Sequence, residues 1–402
     1  MTRSFLQLRA AYGVGDLSPV DVARETLACA EAENARLNCF ALIDPERALD
    51  AARASERRWR AGAPLGPLDG MPIAIKEFAQ VEGWPTRYAS AATSAAPAAR
   101  STPFAARLID AGAVPIGKTR APEFNWKGVT DSPAFGVTRN PLDPTKTPGG
   151  SSGGCAAAVA AGVVRVSVGS DAGGSVRIPA AFCGVLGLKP GFGRIPMWPN
   201  PSQFSGLAHV GLLAAGVDDM ADALGVMAGA DPCDWTSLDD PDFCRNLLEA
   251  RAPADLRIGV LPAARWADCA PAVEAAMAEM VAILSSRFRL AEADFDIRGA
   301  ARVADSLYRL GCAQIFKTVP ARDHHVIDPG LRRFVAPVQA LSVDAYVDLM
   351  RRRDALGADM MALFETIDVL VTPTTPVLAF EAGRNAPPEQ NSDDWMDWNP
   401  FT

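Results

Sequence analysis

Two glycine-serine clusters hold the residues best suited to chemistry. One is Pro148-Gly149-Gly150-Ser151-Ser152-Gly153-Gly154 and the other is Gly169-Ser170-Asp171-Ala172-Gly173-Gly174-Ser175-Val176-Arg177. Glycines beside a serine let backbone N–H groups approach a reacting carbonyl, as an oxyanion site requires, and Ser175 has Gly173 and Gly174 next to it. A serine hydroxyl is a weak nucleophile until a base takes its proton, and the usual base is histidine. The chain has only His209, His324 and His325, none of them near either cluster in sequence. A lysine can do the same work if burial lowers its pKa enough to leave it neutral, and Lys76 closes the apolar run 71–75. Taken singly, a lysine after a strand is a surface cation, and serines among glycines are turn residues. Three turn serines do not account for the whole constellation.

The surrounding sequence supplies elements able to hold these groups. Ser18 followed by Pro19 and Asp21 predicts a capping-box helix start, with Val20, Ala23, Leu27 and Ala30 on one face. A short strand is expected over 39–43, and Asp44-Pro45 opens a helix running to about residue 60. The Gly/Pro-rich stretch 62–70 then links a helical lead-in, residues 1–65, to a main domain, residues 66–402. Strand 71–75, helix 103–110, strand 114–116, an Ala-rich helix after Gly154 and strand 163–168 alternate, which argues for a mixed α/β sheet. Further strands are expected at 256–261 and 368–371, and a helix over 271–284 with Val273, Met277, Met280 and Leu284 on one face. The chain has 402 residues, 49% of them hydrophobic, and a net charge of -8 without long like-charge runs. That length allows a large core, and that charge makes nucleic acid a poor partner. Residues 1–15 lack a signal-peptide apolar stretch and no segment reads as a membrane span, so the chain is placed in the cytoplasm and away from membranes. Eight scattered cysteines, Cys29, Cys39, Cys155, Cys183, Cys233, Cys244, Cys269 and Cys312, form no CxxC pair and read as reduced core residues rather than a metal site.

The segments GMPIAIKE, GGSSGGCAAAVAAG and GSDAGGSVRIPAAFCGVLGLKP resemble the core of the amidase signature family, and the resemblance runs from about the first helix to the last residues. It implies an α/β fold with a large mixed β-sheet core flanked by α-helices on both faces. It implies Lys76 as general base, Ser151 as a proton-relaying serine behind a cis Gly150–Ser151 peptide, and Ser175 as nucleophile. The oxyanion donors would be the N–H groups of Ala172, Gly173, Gly174 and Ser175. The implied reaction is hydrolysis of carboxylic amide C–N bonds through an acyl-enzyme, releasing ammonia or an amine, with no cofactor and no metal. Asp171 and Arg177 are expected to brace the loop as an ion pair, and Ser152 to be structural. Phe124, Trp126 and Trp198 are candidates for an apolar acyl pocket. The partner is then a small-molecule amide, with a homodimer allowed for. Alternatives within the resemblance are the ammonia-generating subunit of a glutamyl-tRNA(Gln) amidotransferase, which requires a second protein, and an inactive truncated homologue. Three departures stand out: Glu77 replaces a common aspartate after the lysine; Gly211-Leu212-Leu213-Ala214-Ala215 lacks a familiar arginine; and members usually continue past Thr402, so the chain reads as C-terminally truncated.

Two competing motifs fit less well. Gly112, Gly117, Lys118 and Thr119 match a phosphate loop, but the intervening Ala-Val-Pro-Ile is strand-like rather than a loop. GGSSGG satisfies the GxSxG nucleophile elbow, with His209 or His324 as nominal partners, but the preceding residues 140–148 are proline-broken where an elbow needs a strand.

Overall fold

The computed structural model describes residues 3–240, 243 and 255–402. Cys244 therefore lies outside the described residues, and the other seven cysteines are free thiols. The main sheet has six strands: β1 (Phe40–Ile43), β2 (Pro72–Lys76), β3 (Val114–Thr119), β6 (Val166–Asp171), β7 (Leu186–Leu188) and β8 (His209–Ala214), in the order β1-β3-β2-β6-β8-β7. A two-residue hairpin, β4 (Asp131–Ser132) and β5 (Gly136–Val137), lies outside it. The centre, β3-β2-β6, is parallel and the remaining pairings are antiparallel, so the sheet is mixed.

Side-chain alternation along the strands explains the layering. Ile73, Ile75, Val166, Val168, Val210 and Leu212 point into one core, where they meet Phe5 and Leu8 of helix Phe5–Val14, Phe104 and Leu108 of Pro103–Asp110, and Leu224 of Val217–Met227. Ala74, Val114, Ile116 and Leu213 point into the opposite core, against Ala23 and Leu27 of Pro19–Leu37, Ala48 and Ala52 of Pro45–Arg60, and the alanines of Gly153–Ala160. Both faces of the sheet are thus covered by helices, as near-continuous apolar strands require. The lead-in is woven into this sheet, since β1 pairs with β3 as its edge strand.

Caps fix where the lead-in helices begin. Ser18 Oγ accepts the Val20 N–H at 3.0 Å and Asp44 accepts the Arg47 N–H at 3.0 Å, each with proline in the first turn. Ser18 makes a simple cap rather than the expected box, because Asp21 turns outward to Arg24 at 3.0 Å. Strands β9 (Arg257–Val260), β10 (Arg289–Glu292) and β11 (Val369–Val371) form a separate parallel sheet in the order β10-β9-β11. A third core, built around Tyr308, Phe334, Trp395 and Trp398, lies beside the second glycine-serine cluster. Among the described residues no helix is long and apolar enough to cross a membrane.

Candidate active site

Parallel pairing of β2 with β6 puts the carboxyl ends of both strands at one edge, the usual place for a site on an open α/β sheet. Lys76 is the last residue of β2, fully buried, and its Nζ donates to Ser151 Oγ at 2.7 Å and to Ser170 Oγ at 3.0 Å. No described carboxylate pairs with it. Burial therefore dominates, and the amine is pushed down from 10.5 to about 7 despite the opposing pull of Cys155, Asp171 and Glu77. An amine in that range is substantially neutral at physiological pH and can accept a proton.

The first cluster places Ser151 on a turn entering helix Gly153–Ala160, and the Gly150–Ser151 peptide is cis. A Cβ at Gly150 would run into the Val129 backbone, so glycine is needed for this approach. Ser152 ties the two clusters together: its Oγ donates to Ser170 O at 3.1 Å and its N–H to Ser175 O at 2.9 Å. Ser151, Ser170 and Ser175 open onto the same cavity, of about 520 Å³.

Asp171 organises the second cluster. Its buried carboxylate accepts the Gly174 N–H at 2.9 Å, the Val176 N–H at 3.1 Å and a two-point fork from Arg177 at 2.7 and 2.8 Å, with Lys189 Nζ at 3.3 Å. Burial alone would raise its pKa, but the charges of Arg177 and Lys189, with these hydrogen bonds, hold it well below the usual carboxylate range. The Gly174 N–H, expected to face an oxyanion, is therefore committed to Asp171. The N–H groups of Ala172, Gly173 and Ser175 make no hydrogen bond to a described residue. Lys189 Nζ also donates to Ala172 O at 3.1 Å. Because C=O and N–H of a trans peptide point opposite ways, that bond fixes the direction of the Gly173 N–H. Replacing Asp171 by Asn should leave the half-buried Arg177 and Lys189 beside a neutral amide and lower the unfolding free energy by about 2 kcal/mol, measurable by urea denaturation.

Two residues at the site carry no signal in the sequence. Ser170 reads as one more turn serine, and only strand pairing shows that it lies beside Lys76. Lys189, within the GVLGLKP segment, gives no local sign of its contact with Ala172. Glu77 reaches the Ala89 N–H at 2.7 Å rather than the lysine.

Of the proposed pocket residues, Phe124 and Trp198 line the cavity and Trp126 does not. Phe124 has a left-handed backbone, φ 49°, which turns the chain so that Trp126 packs on Phe334 with centroids 5.3 Å apart and donates to Asp328. The phosphate-loop match fails structurally: Gly117, Lys118 and Thr119 lie within β3, and Lys118 Nζ donates to Pro85 O at 2.6 Å. Neither His209 nor His324 lines the cavity. His209 bonds Leu207 O, and His324 bonds Val319 O. Among the described residues no group of side chains is arranged to hold a metal.

Comparison with known proteins shows the family and the fold. The Amidase family profile matches residues 21–402. The chain is 34% identical over 404 aligned positions to a glutamyl-tRNA(Gln) amidotransferase subunit of Chloroflexus aurantiacus, covering 94% of this chain and 82% of that one. Among solved structures, it superposes with TM-score 0.89 and 25% identity on a bacterial aryl acylamidase described as an amidase signature enzyme, covering 99% of this chain and 86% of that one. It superposes with TM-score 0.85 and 32% identity on a chain from a vestigial complex linked to the origins of an s-triazine catabolic enzyme, covering 95% of this chain and 83% of that one.

Proposed function

The chain belongs to the amidase signature family, and from that membership we propose that it hydrolyses its amide substrate through Ser175, Ser151 and Lys76. It is an enzyme acting on amide C–N bonds. In our reading Ser175 Oγ attacks the carbonyl carbon while its proton passes to Ser151 Oγ, and the Ser151 proton passes to Lys76 Nζ. The tetrahedral oxyanion is held by the N–H groups of Ala172, Gly173 and Ser175. The proton then returns through the relay to the leaving nitrogen, ammonia or an amine departs, and water releases the acid from Ser175 by the reverse path.

The observation that carries this reading is a fully buried amine whose two hydrogen-bond partners are serine hydroxyls opening onto the cavity that Ser175 lines. Treatment with a fluorophosphonate, followed by intact mass and peptide mapping, tests it without knowledge of the substrate. One adduct on Ser175 is expected, whereas an adduct on Ser151 or Ser152 would overturn the assignment.

The sequence relationship to the tRNA-dependent amidotransferase supports a second, competing reading, in which the ammonia released from glutamine is passed on within a complex, and against which the absence of charged residues from the described cavity lining counts. Glutaminase activity seen only when a partner protein is added would establish it. The free thiols suit a reducing compartment, and we place the enzyme in the cytoplasm on that ground.

A further inference from the structure

We infer that the cavity selects amides that are uncharged on both sides of the scissile bond and carry an apolar, ring-sized group, and that it rejects glutamine and other substrates bearing a formal charge. This rests on Ser175 marking the reacting end of the cavity.

Among the described residues lining the cavity there is no Asp, Glu, Lys, Arg or His. Its walls are aromatic, with Phe78, Phe104, Phe124, Trp198, Phe204 and Tyr308 contributing rings, and its polar groups are neutral: the amides of Asn125, Asn200, Gln203 and Gln314 and a few hydroxyls. Of the charges close by, Arg100 does not line the cavity but stacks on the Trp198 ring, 3.2 Å from its centroid, and the others are held at least in part by protein groups. Arg177 and Lys189 are held on Asp171, and Glu77 Oε1 on the Ala89 N–H. A free amino acid such as glutamine would have to bring an ammonium and a carboxylate into this space without a counter-ion, a desolvation penalty that its own amide contacts do not offset.

The wall is also built to stay as it is. Tyr88 and Phe124 both sit in the left-handed region, φ 50° and 49°, as do the adjoining Ala89 and Asn125. The Phe124 N–H donates to Tyr88 O at 2.8 Å, their rings stack 6.4 Å apart, and Tyr308 OH donates to Asn125 O at 2.7 Å. Four non-glycine residues held in this strained region beside a candidate site, locked to each other and to helix Ile297–Thr318, point to a preformed aromatic surface. A volume of about 520 Å³ lies within the range of sites that enclose small organic ligands.

The test is a matched series: hexanamide and 3-phenylpropanamide against adipamic acid, 6-aminohexanamide and L-glutamine, with ammonia release followed at one pH. The neutral amides are expected to exceed the charged ones in kcat/KM by at least about 100-fold. The same compounds are titrated calorimetrically into the Ser175→Ala protein, where binding does not depend on the nucleophile, and the neutral members alone are expected to bind. Equal or better turnover or binding of glutamine or of a charged isostere would overturn the inference while leaving the Ser175 assignment intact. A missing fluorophosphonate adduct on Ser175 alongside selective binding of the neutral amides would have the opposite meaning.

Discussion

Replacing Ser175 by Ala is expected to lower amide turnover by about 10⁴-fold or more and to abolish the fluorophosphonate adduct, with little change in stability. The reason lies in what the side chain does not do. Ser175 is almost wholly buried at the cavity wall, yet its Oγ makes no hydrogen bond to a described residue, and the loop is held by backbone groups and Asp171 instead. Removing the hydroxyl therefore leaves the Ser152 N–H to Ser175 O bond and the Asp171 contacts in place. Ser151→Ala should behave differently, because it also strips Lys76 of one of its two hydroxyl acceptors. Urea denaturation of both variants, with rates for hydrolysis of one neutral amide, separates the two cases. Turnover by Ser175→Ala within about tenfold of the unsubstituted enzyme would remove Ser175 from the mechanism.

Much of this arrangement is legible in the sequence where local chemistry and tertiary role coincide. Ser18 and Asp44 cap the helices expected from them, and the apolar run before Lys76 is the strand β2 that buries it. The reading fails where a strand runs on through polar residues. The valines predict strand β6 over 163–168, but it begins at Val166 and continues through Ser170 to Asp171, polar residues that read locally as loop. Those residues are in the sheet because β6 stays paired with β8 as far as Asp171 and His209, and such local conflicts are expected at a functional site. Periodicity likewise finds the helix Pro271–Ser285 but not its cover. Val273, Met277 and Leu284 are only half-buried and Met280 is 46% exposed, since spacing reveals an apolar face and says nothing of what lies against it. Trp126 departs from its expected place for a related reason: one left-handed residue, Phe124, redirects it, and nothing in the composition of that segment announces the turn.

Replacing Lys76 by Met is expected to cut the rate of Ser175 labelling by about 10³-fold or more, and to remove its pH dependence near neutrality, while making the protein more stable at pH 7. The intact enzyme should gain reactivity about tenfold per pH unit below the lysine pKa and level off above about 7, because only the neutral amine accepts the proton. Stability follows the same displaced titration with a definite sign. Between about 7 and 10.5 the unfolded chain keeps a proton on this lysine that the native protein has released, so lower pH favours unfolding and stability rises with pH across that window. Below about 7 both states are protonated, the penalty for burying the cation is fully present, and the pull of Asp171 and Glu77 offsets it only in part. Met fills similar volume without the charge, although it leaves the Ser151 and Ser170 hydroxyls short of a donor. The gain in stability from Lys76→Met should therefore be greatest at and below pH 7 and shrink toward pH 10, as read from urea midpoints. Labelling rates that stay flat from pH 5.5 to 9 in the intact enzyme, or a variant less stable than the intact protein at pH 6, would show that Lys76 is not held there as a neutral base.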